Sequence, residues 1–509
     1  MAFPEETEKY FKRLVHRQIP SHAVRVLGRT GFHVGGIGFG GYRVHHNSVE
    51  HARALRYALL NGFNLIDTSS NYTDGGSEML IGSLLQEMIE REEVHREEVV
   101  VVSKVGYVQG ENLKLAQENE RLGHPFPEMV KYMDGCWHCI HPDFLQDQLT
   151  RSLERLQIPA LDVYLLHNPE YFLAHMKNQP EFDLESARAE YYRRIQKAFE
   201  WMEEKVAEGK IKAYGISSNT FPVPASDAEF TSLERVLDIA QYVASDHYFQ
   251  VIQFPFNLYE AGACLEKNQA DGQKTLLELA REKEIGTLVN RPLNAMTPKG
   301  MVRLASFRES DPKQVEQAFA AHLRKVADLE REFEQQHLER VPAEVSRQQV
   351  RQVFSLGRQL QGALHDFQNW QHWDHVKQNF IVPQISSYLS YLNHHLREDR
   401  AWQTWSAAYS DAVFDLLDAI SRHYENQAQQ RSKEIAQTLD ELSVTLAFSE
   451  TLSQKALRVL LSTPGVDCVL LGMRRVPYVE DALAAFKQVP IENAEEVLHE
   501  FQKRATELG

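Results

Sequence analysis

The sequence of 509 residues predicts an α/β protein: a closed (β/α)8 TIM barrel with an N-terminal β-hairpin and an inserted all-α helical bundle. Three observations predict this fold. Short apolar runs alternate with amphipathic stretches in eight successive pairs. The apolar runs are continuous, which indicates strands buried on both faces, as in a parallel sheet. A long segment of different character separates the seventh apolar run from the eighth.

The barrel elements follow one another regularly along the chain. Residues 24–34 (VRVLGRTGFHV) predict a hairpin with Gly28 and Gly31 around its turn. Strands are predicted at 35–39, 63–66, 97–103, 161–167, 211–216, 250–254, 286–289 and 466–471. Helices are predicted at 48–61, 77–91, 143–156, 190–208, 229–245, 272–284, 452–463 and 477–488. An open doubly wound sheet is the alternative, but GGIGFGG (35–41) lacks the G-x-x-G step into a helix.

Residues 298–447 are predicted to form the inserted bundle, and residues 1–297 with 448–509 to form the barrel. No glycine occurs between Ala363 and Pro464. Apolar residues recur there at helical spacing in two stripes: Val315, Phe319, Leu323, Val326 and Phe333, then Val413, Leu416, Leu417, Ile420 and Tyr424. The insertion also carries four tryptophans that we expect to be mostly buried: Trp370, Trp373, Trp402 and Trp405. Because it follows the seventh strand, we expect it to cover the substrate pocket or to join subunits into a homo-oligomer.

Composition and charge narrow the class of protein. The chain has 55 Lys and Arg residues against 71 Asp and Glu residues, a formal net charge of −16, which argues against nucleic acid as the main partner. No run of apolar residues is long enough to span a membrane. The N-terminus lacks an apolar signal core, and four cysteines are too sparse for a secreted disulfide framework. We therefore expect a cytoplasmic protein.

Ionisable side chains follow three of the predicted strands. Asp67 follows FNLI, Lys104 follows VVVVS, and His167 follows LDVYLL; Tyr72 lies five residues beyond Asp67. Each residue alone can be a polar side chain that ends an apolar strand and has no function. In a barrel, however, reacting side chains collect at the carboxyl ends of the strands, so the four together predict an active site.

The chemistry of the four groups is coherent. A lysine ammonium near Tyr72 would lower the pKa of the phenol, and a buried carboxylate would keep that lysine charged and in place. A histidine imidazole can hold a carbonyl oxygen beside the phenol. Since no side chain can donate a hydride, a nicotinamide cofactor is required.

The motifs resemble those of the aldo-keto reductase superfamily. They are FNLIDTSSNY (63–72), VVVVSKVGY (99–107), LDVYLLHNPE (161–170), KIKAYGISSN (210–219) and VIQFPFN (251–257), with LGRTGFHVGGIGFGGY (27–42) and VDCVLLGMRRVPYVEDAL (466–483) at the two ends. The resemblance implies Asp67, Tyr72, Lys104 and His167 as catalytic residues, with Tyr72 as the acid and base. SKVGY (103–107) is similar to the sugar-dehydrogenase branch, which implies a sugar or another polyhydroxylated substrate.

The resemblance also implies a set of residues that bind NADP(H) or NAD(H). Ser217, Ser218 and Gln253 would contact the nicotinamide amide. The residues 472–475 (GMRR) would bind the phosphates or the adenosine ribose, with Asp481 near the adenine. The full set is Gly40, Gly41, Tyr42, Asp67, Ser217, Ser218, Gln253, Asn290, Arg291, Gly472, Met473, Arg474, Arg475, Tyr478 and Asp481.

This chain departs from the family pattern at three of these positions. Ser217-Ser218 stands where Ser-Asn is usual, Asn290-Arg291 where an aromatic residue often stacks on the nicotinamide, and Asp481 where asparagine is usual. Arg474 or Arg475 could grip the 2′-phosphate of NADP(H). Because the chain departs from the family pattern around this site, NAD(H) stays an alternative to NADP(H).

Two clusters of possible metal ligands lie outside these motifs. Residues 134–142 (DGCWHCIHP) contain Cys136, His138, Cys139 and His141, which are too close in sequence to wrap one tetrahedral ion alone. We expect this loop to pack over the substrate pocket, and we predict no metal. His365, His372 and His375 are interpreted as surface or bundle-core histidines.

The sequence thus predicts an NAD(P)(H)-dependent oxidoreductase that interconverts a carbonyl and an alcohol on a small molecule. Two alternatives stay open. One is a regulatory or scaffolding subunit that keeps the barrel and the cofactor as a redox sensor. The other is an enzyme that retains NAD(H) and performs no net redox change.

Overall fold

The computed structural model describes residues 1–298, 300–364 and 366–508. The chain divides into two compact units, one made of Met1–Leu304 with Thr438–Glu507, the other of Ala305–Gln437. The predicted limits at 297/298 and 447/448 stay a prediction.

The first unit contains a closed barrel of eight parallel strands, which confirms the predicted fold class. In chain order they are β1 Ile37–Gly40, β2 Leu65–Asp67, β3 Val100–Val105, β4 Leu161–His167, β5 Ile211–Ser217, β6 Phe249–Pro255, β7 Gly286–Asn290 and β8 Cys468–Leu471. Each strand pairs with its neighbours in sequence order, and β8 closes the barrel on β1. Every residue of β3 and β4 is buried, which is why these runs are continuously apolar.

Each strand is followed by one of the helices that the sequence predicts. They are α1 Val49–Leu59, α2 Gly76–Glu90, α3 Pro142–Leu156, α4 Leu184–Ala207, α5 Leu233–Val243, α6 Leu276–Glu282, α7 Leu452–Ser462 and α8 Val476–Lys487. Polar N-caps start several of them. Ser48 accepts a hydrogen bond from the His51 amide, and Thr275 with Glu278 forms a capping box.

The N-terminal hairpin pairs Val24–Val26 with His33–Gly35, as predicted. Gly28 has φ +45°, and a Cβ there would lie 2.2 Å from the Gly286 nitrogen, so only glycine fits. Leu27, Phe32 and Val34 join a buried cluster with residues of the barrel strands. The hairpin therefore fills the amino-terminal end of the barrel. The opposite end, where the strands have their carboxyl ends, is available for a functional site.

Several elements of this unit have no counterpart among the predicted ones. The helices are Pro4–Arg13, Gly110–Arg121, Tyr171–Met176, Gly262–Leu265 and Ala494–Leu508. A three-stranded antiparallel sheet follows β3 and consists of Tyr107–Val108, Cys136–His138 and Val130–Met133. A second hairpin pairs Asn294–Thr297 with Gly300–Arg303. The segment that the sequence predicts to be all-helical from residue 298 thus begins with a strand, Gly300–Arg303. This strand pairs with the adjacent Asn294–Thr297 before the first helix of the segment.

The second unit is helical. Its helices are Pro312–Glu332, Arg347–Val353, Leu356–Ala363, Trp370–Val376, Val382–His395 and Arg400–Leu442, the last of which ends beyond the unit. Short π-helical segments lie at Phe333–His337 and Lys377–Ile381. Apart from Val315, the residues of both predicted apolar stripes belong to one core or pack against it. Three of the four tryptophans are buried: Trp373, Trp402 and Trp405. Among the described helices of the whole chain, none is long and apolar enough to cross a membrane.

Candidate active site

The four predicted catalytic residues meet at the carboxyl ends of adjacent strands. Asp67 ends β2, Lys104 lies in β3, His167 ends β4, and Tyr72 lies in the loop after β2. The Lys104 Nζ atom lies 2.6 Å from Asp67 Oδ1 and 4.9 Å from the centroid of the Tyr72 ring. The Tyr72 and His167 ring centroids are 6.0 Å apart, at an interplanar angle of 79°. The parallel strands thus bring the four side chains into one cluster.

Lys104 and Asp67 form a buried ion pair. Lys104 Nζ also donates to the Thr68 carbonyl at 2.8 Å, and Asp67 Oδ1 accepts from Gln253 Nε2 at 2.8 Å. Burial lowers the pKa of Lys104, and the Asp67 carboxylate opposes that change. A buried ion pair needs further hydrogen bonds to its charged groups, and each partner makes one here.

The pKa of Tyr72 differs from the sequence expectation. Burial raises it well above 10, and the Asp67 carboxylate and Tyr42 add to the increase. Burial outweighs the expected lowering of the pKa by the Lys104 ammonium, which lies over the ring and is hydrogen-bonded to Asp67 and Thr68. In this structure Tyr72 is therefore a neutral phenol, which is the form that can donate a proton.

His167 is held on three sides. Burial lowers its pKa well below 6.5, and the Lys104 charge adds to the effect, so the imidazole is neutral. Its Nδ1 atom lies 3.1 Å from Ser69 Oγ, and the Tyr107 ring lies edge-on at 4.7 Å between centroids. The Nε2 of His138 donates to the His167 carbonyl at 2.8 Å.

Ser69, Tyr107 and His138 are residues that the sequence analysis did not place around His167. Ser69 lies inside the FNLIDTSSNY motif and Tyr107 ends VVVVSKVGY, so both motifs contained the signal. His138 could not be found in this way, because its contact depends on the small sheet after β3.

Three polar residues at the ends of β5, β6 and β7 form a connected group. Ser217 Oγ donates to Gln253 Oε1 at 3.1 Å, and Asn290 Nδ2 lies 3.5 Å from the same oxygen. Asn290 Oδ1 is buried without a hydrogen-bond partner in the structure. A buried amide oxygen without a donor is an unusual cost, and it fits a ligand that carries its own N–H group, such as a carboxamide.

Ser218 does not join this group in the structure, and its contact with the nicotinamide stays a prediction. Its Oγ atom lies 3.1 Å from Thr220 Oγ1 and 3.3 Å from Thr231 Oγ1, and the residue is fully buried. These hydroxyls attract the Ser218 side chain to the threonines and away from Gln253. The position next to Ser217 therefore serves the local fold in this structure.

Gly40 is the last residue of β1, and Gly41 and Tyr42 follow it directly. The Gly41 nitrogen donates to the Asp67 carbonyl at 2.7 Å, and a Cβ on Gly41 would lie 2.7 Å from Ser77 Oγ. A side chain at Gly41 would therefore push this turn away from Asp67. The exposed Tyr42 ring lies edge-on to Tyr72, with 5.3 Å between centroids.

Arg291 is engaged within the loop after β7. Its Nη2 atom lies 2.7 Å from Glu260 Oε1, and its backbone has a left-handed φ of +52°. This ion pair fixes the guanidinium where the family often has an aromatic side chain.

The segment after β8 leads into the start of α8. Gly472 is exposed, with no heavy atom within 4 Å of an added Cβ, whereas Met473 is buried. Arg475 Nε donates to Glu50 Oε1 at 3.1 Å, and Tyr478 is exposed. Two arginines beside a helix N-terminus form a suitable place for phosphate groups.

Asp481 is hydrogen-bonded to residues of its own chain, and its contact with the adenine stays a prediction. Its Oδ1 atom accepts from Thr451 Oγ1 at 2.8 Å and from Gln454 Nε2 at 2.9 Å, and its Oδ2 atom accepts from Ser453. The carboxylate thus secures the start of α7, and contact with a ligand would have to compete with these bonds.

The Cys and His side chains of residues 134–142 have separate partners. Cys136 Sγ accepts from Gln109 Nε2 at 3.2 Å, Cys139 Sγ lies 3.4 Å from the Pro127 carbonyl, and His141 caps α3. His372 and His375 bond within their own helix region, and His365 lies outside the described residues. In the described part of the chain, no group of three or more His, Cys, Asp or Glu could hold a metal ion.

Comparison with known proteins gives the family. The model of the aldo/keto reductase family matches residues 33–346. The chain belongs to this family.

Known relatives resemble parts of this aldo-keto reductase. It is 28% identical over 192 residues (36% of the chain, 46% of the relative) to a Schizosaccharomyces pombe protein proposed to be a voltage-gated potassium channel subunit beta. It is 27% identical over 157 residues (31% and 37%) to the NADH-specific methylglyoxal reductase of Escherichia coli. The chain spans less than half the length of each of these two. A solved aldo/keto reductase from Klebsiella pneumoniae, in complex with NADP and acetate, is 15% identical with 94% of both chains covered and a TM-score of 0.43.

Proposed function

We propose that this enzyme interconverts a carbonyl and an alcohol on a sugar or another polyhydroxylated small molecule, using NADP(H) or NAD(H). One observation carries the proposal: Lys104 Nζ lies 2.6 Å from Asp67 Oδ1 and 4.9 Å from the Tyr72 ring centroid, with His167 beside the same ring. This arrangement suits a site that moves a proton on oxygen next to a hydride transfer.

The chain's own residues would bind the cofactor as follows. Ser217, Gln253 and Asn290 are suited to the carboxamide of the nicotinamide, and the unpartnered Asn290 Oδ1 supports that fit. Residues 472–475 at the start of α8 are suited to the phosphates. The bound nicotinamide would supply the hydride, which no side chain can provide.

Tyr72 acts as the general acid during carbonyl reduction. Its neutral phenol donates the proton to the carbonyl oxygen as the carbonyl carbon becomes tetrahedral. Lys104 stabilises the phenolate that remains, and Asp67 holds Lys104 in place. His167, as a neutral imidazole, hydrogen-bonds the substrate oxygen.

The substrate class rests on two supports. Tyr107 OH accepts from Asn168 Nδ2 at 2.8 Å beside His167, which offers polar groups to an oxygenated substrate. Methylglyoxal, on which the Escherichia coli relative is named to act, is a small oxygenated aldehyde. A carbohydrate-type carbonyl fits both.

The test is net cofactor turnover with a panel of sugars, polyols and small aldehydes, comparing the wild type with Tyr72→Phe. We expect turnover of NADPH or NADH with at least one carbonyl. Tyr72→Phe should lose about 10²-fold or more of that rate and keep its cofactor affinity. Turnover in Tyr72→Phe equal to the wild type would contradict the assignment.

A regulatory subunit with a bound nicotinamide is the second candidate, favoured by the similarity to the proposed channel subunit. An enzyme without net redox change is the third. Stoichiometric oxidation of bound cofactor without further turnover would favour the second, and product formation without cofactor consumption the third.

The proposed role of residues 298–447 is to close over the substrate or to join subunits. Replacing Ala305–Gln437 with a short Gly/Ser segment should leave nicotinamide binding intact. A raised KM would support the first role, and an altered mass in light scattering the second. A cytoplasmic location stays an expectation from the sparse cysteines and the acidic net charge.

A further inference from the structure

A row of hydrogen-bonded side chains leads from His167 to Cys136. Ser69 Oγ lies 3.1 Å from His167 Nδ1 and 2.7 Å from Asn71 Oδ1. Asn71 Nδ2 lies 3.1 Å from Gln109 Oε1, and Gln109 Nε2 lies 3.2 Å from Cys136 Sγ. The mechanism above assigns no role to this row.

The row can be polarised in two directions, because a hydroxyl and an amide each donate and accept. In the structure every hydrogen-bond donor of the row points away from His167. Gln109 donates to Cys136, Asn71 donates to Gln109, and Ser69 donates to Asn71. Ser69 Oγ is then free only to accept from His167. The imidazole carries its proton on Nδ1 and presents a lone pair at Nε2.

The opposite direction reverses every bond. Turning the two amides by half a turn and rotating the hydroxyl keeps the heavy atoms in place. The Cys136 thiol then donates to Gln109, Gln109 to Asn71, Asn71 to Ser69, and Ser69 to His167 Nδ1. The imidazole now carries its proton on Nε2.

Only the second direction suits carbonyl chemistry. A carbonyl oxygen accepts hydrogen bonds, and it gains negative charge as the hydride arrives, so it needs a donor at Nε2. The ring itself is fixed by the edge of Tyr107, and the backbone is fixed by His138. The tautomer is thus the property of His167 that its surroundings can still set.

We propose that Ser69, Asn71 and Gln109 are positioning residues that set the tautomer of His167. This proposal rests on the proposed carbonyl reduction. The Lys104 carbonyl is a competing acceptor for the Ser69 hydroxyl, at the longer distance of 3.3 Å. When the side-chain amides of Asn71 and Gln109 are reversed, the Ser69 hydroxyl can instead donate to His167.

Gln109→Glu tests the proposal by exchanging one nitrogen for oxygen at a distance from the substrate. A carboxylate can only accept, so it takes the Asn71 amide protons and turns Asn71 Oδ1 toward Ser69. Ser69 then donates to Asn71, and His167 is held in its Nδ1–H form. We expect kcat to fall by about 10-fold or more, the loss of one hydrogen bond to a charged oxygen, with little change in cofactor affinity.

Two control variants separate this effect from a disturbed loop. Gln109→Met removes both polar ends and imposes no direction, so its loss should be much smaller. Asn112→Asp adds a carboxylate in the helix Gly110–Arg121, which Gln109 precedes; Asn112 pairs with Gln148 and does not belong to the row. We expect it to keep wild-type turnover.

The tautomer itself is read by NMR of ¹³C,¹⁵N-histidine-labelled protein, with His167→Gln to identify the His167 signals. We expect an Nε2–H population in the wild type and in Asn112→Asp, and only Nδ1–H in Gln109→Glu. The same tautomer in all of them, or equal losses of kcat in Gln109→Glu and Gln109→Met, would overturn the proposal. Because the NMR comparison needs no substrate, it stands even if the wild type reduces no carbonyl.

Discussion

The active-site end of the barrel and the core of the helical unit both bury carboxyl groups, but they stabilise them differently. In the barrel, Asp67 lies 2.6 Å from the ammonium of Lys104. In the helical unit, buried Glu330 accepts from the Gly357 nitrogen at 2.7 Å and from Tyr409 OH at 3.3 Å. Burial raises the pKa of Glu330, and these two hydrogen bonds oppose that change only in part.

The polar groups of the helical unit mainly orient its aromatic core. Trp373 Nε1 donates to Ser421, Trp402 Nε1 to Asn393 and Trp405 Nε1 to the Leu329 carbonyl, all within 2.9 Å. In the barrel, by contrast, burial changes the pKa values of three adjacent ionisable groups. Clustering of that kind is typical of active sites, whereas satisfied tryptophans are typical of packing.

Lys104→Met should have the largest effect, because it acts on both stability and activity. It leaves the Asp67 carboxylate buried without its cation, which costs about 3–5 kcal/mol, and it removes the charge that supports Tyr72. Urea unfolding and turnover measure the two effects. Adding Asp67→Asn should recover much of the stability and none of the activity; an unchanged midpoint in Lys104→Met would argue against a stabilising pair.

Trp402→Ala should destabilise only the helical unit. Trp402 is fully buried among aromatic side chains, so its removal should cost about 3–5 kcal/mol. Calorimetry and titration with NADPH measure the outcome, and we expect cofactor affinity to stay at the wild-type value. Substitution of the less buried Trp370 is the matched control and should cost less.

Glu170→Gln tests a buried carboxyl group without a lysine or arginine hydrogen-bond partner in the barrel. Burial raises the pKa of Glu170 to about 7, while its Oε1 atom accepts from the Asn219 nitrogen at 2.8 Å. The folded state therefore binds a proton between pH 4.5 and 7 that the unfolded state releases, so wild-type stability falls as the pH rises through that range. The pKa difference corresponds to at most ~3 kcal/mol.

The variant should therefore gain melting temperature relative to the wild type between pH 5 and pH 8. Glu330→Gln in the helical unit is the matched comparison and should change in the same direction. A wild-type stability independent of pH over that range would contradict the assignment for Glu170.

Arg474→Ala and Arg475→Ala should have the smallest effect, confined to cofactor choice. If either guanidinium binds a 2′-phosphate, its loss should weaken NADPH by about 1.5–3 kcal/mol and leave NADH unchanged. Fluorescence titration with both cofactors measures it. Equal losses for NADH and NADPH would mean that these arginines hold the pyrophosphate.

The sequence by itself determined the barrel and the composition of its site. The predicted strand 161–167 coincides with β4. A continuous apolar run of this length is typical of a strand that is buried on both faces, as in a parallel sheet. Asp67, Lys104 and His167 could be named because parallel strands present their carboxyl ends at one edge. Tyr72 could be named because it lies five residues beyond Asp67, within reach of it in the loop after the strand.

Only the tertiary structure decided how these groups behave. The neutral state of Tyr72 follows from burial and the Asp67 charge, and the environment of His167 follows from Ser69, Tyr107 and His138. The motifs place Ser218 and Asp481 at the cofactor, but only the structure shows that Ser218 lies against Thr220 and Thr231 and that Asp481 accepts from Thr451 and Gln454. A pKa and a side-chain direction depend on neighbours distant in sequence, and local patterns do not contain them.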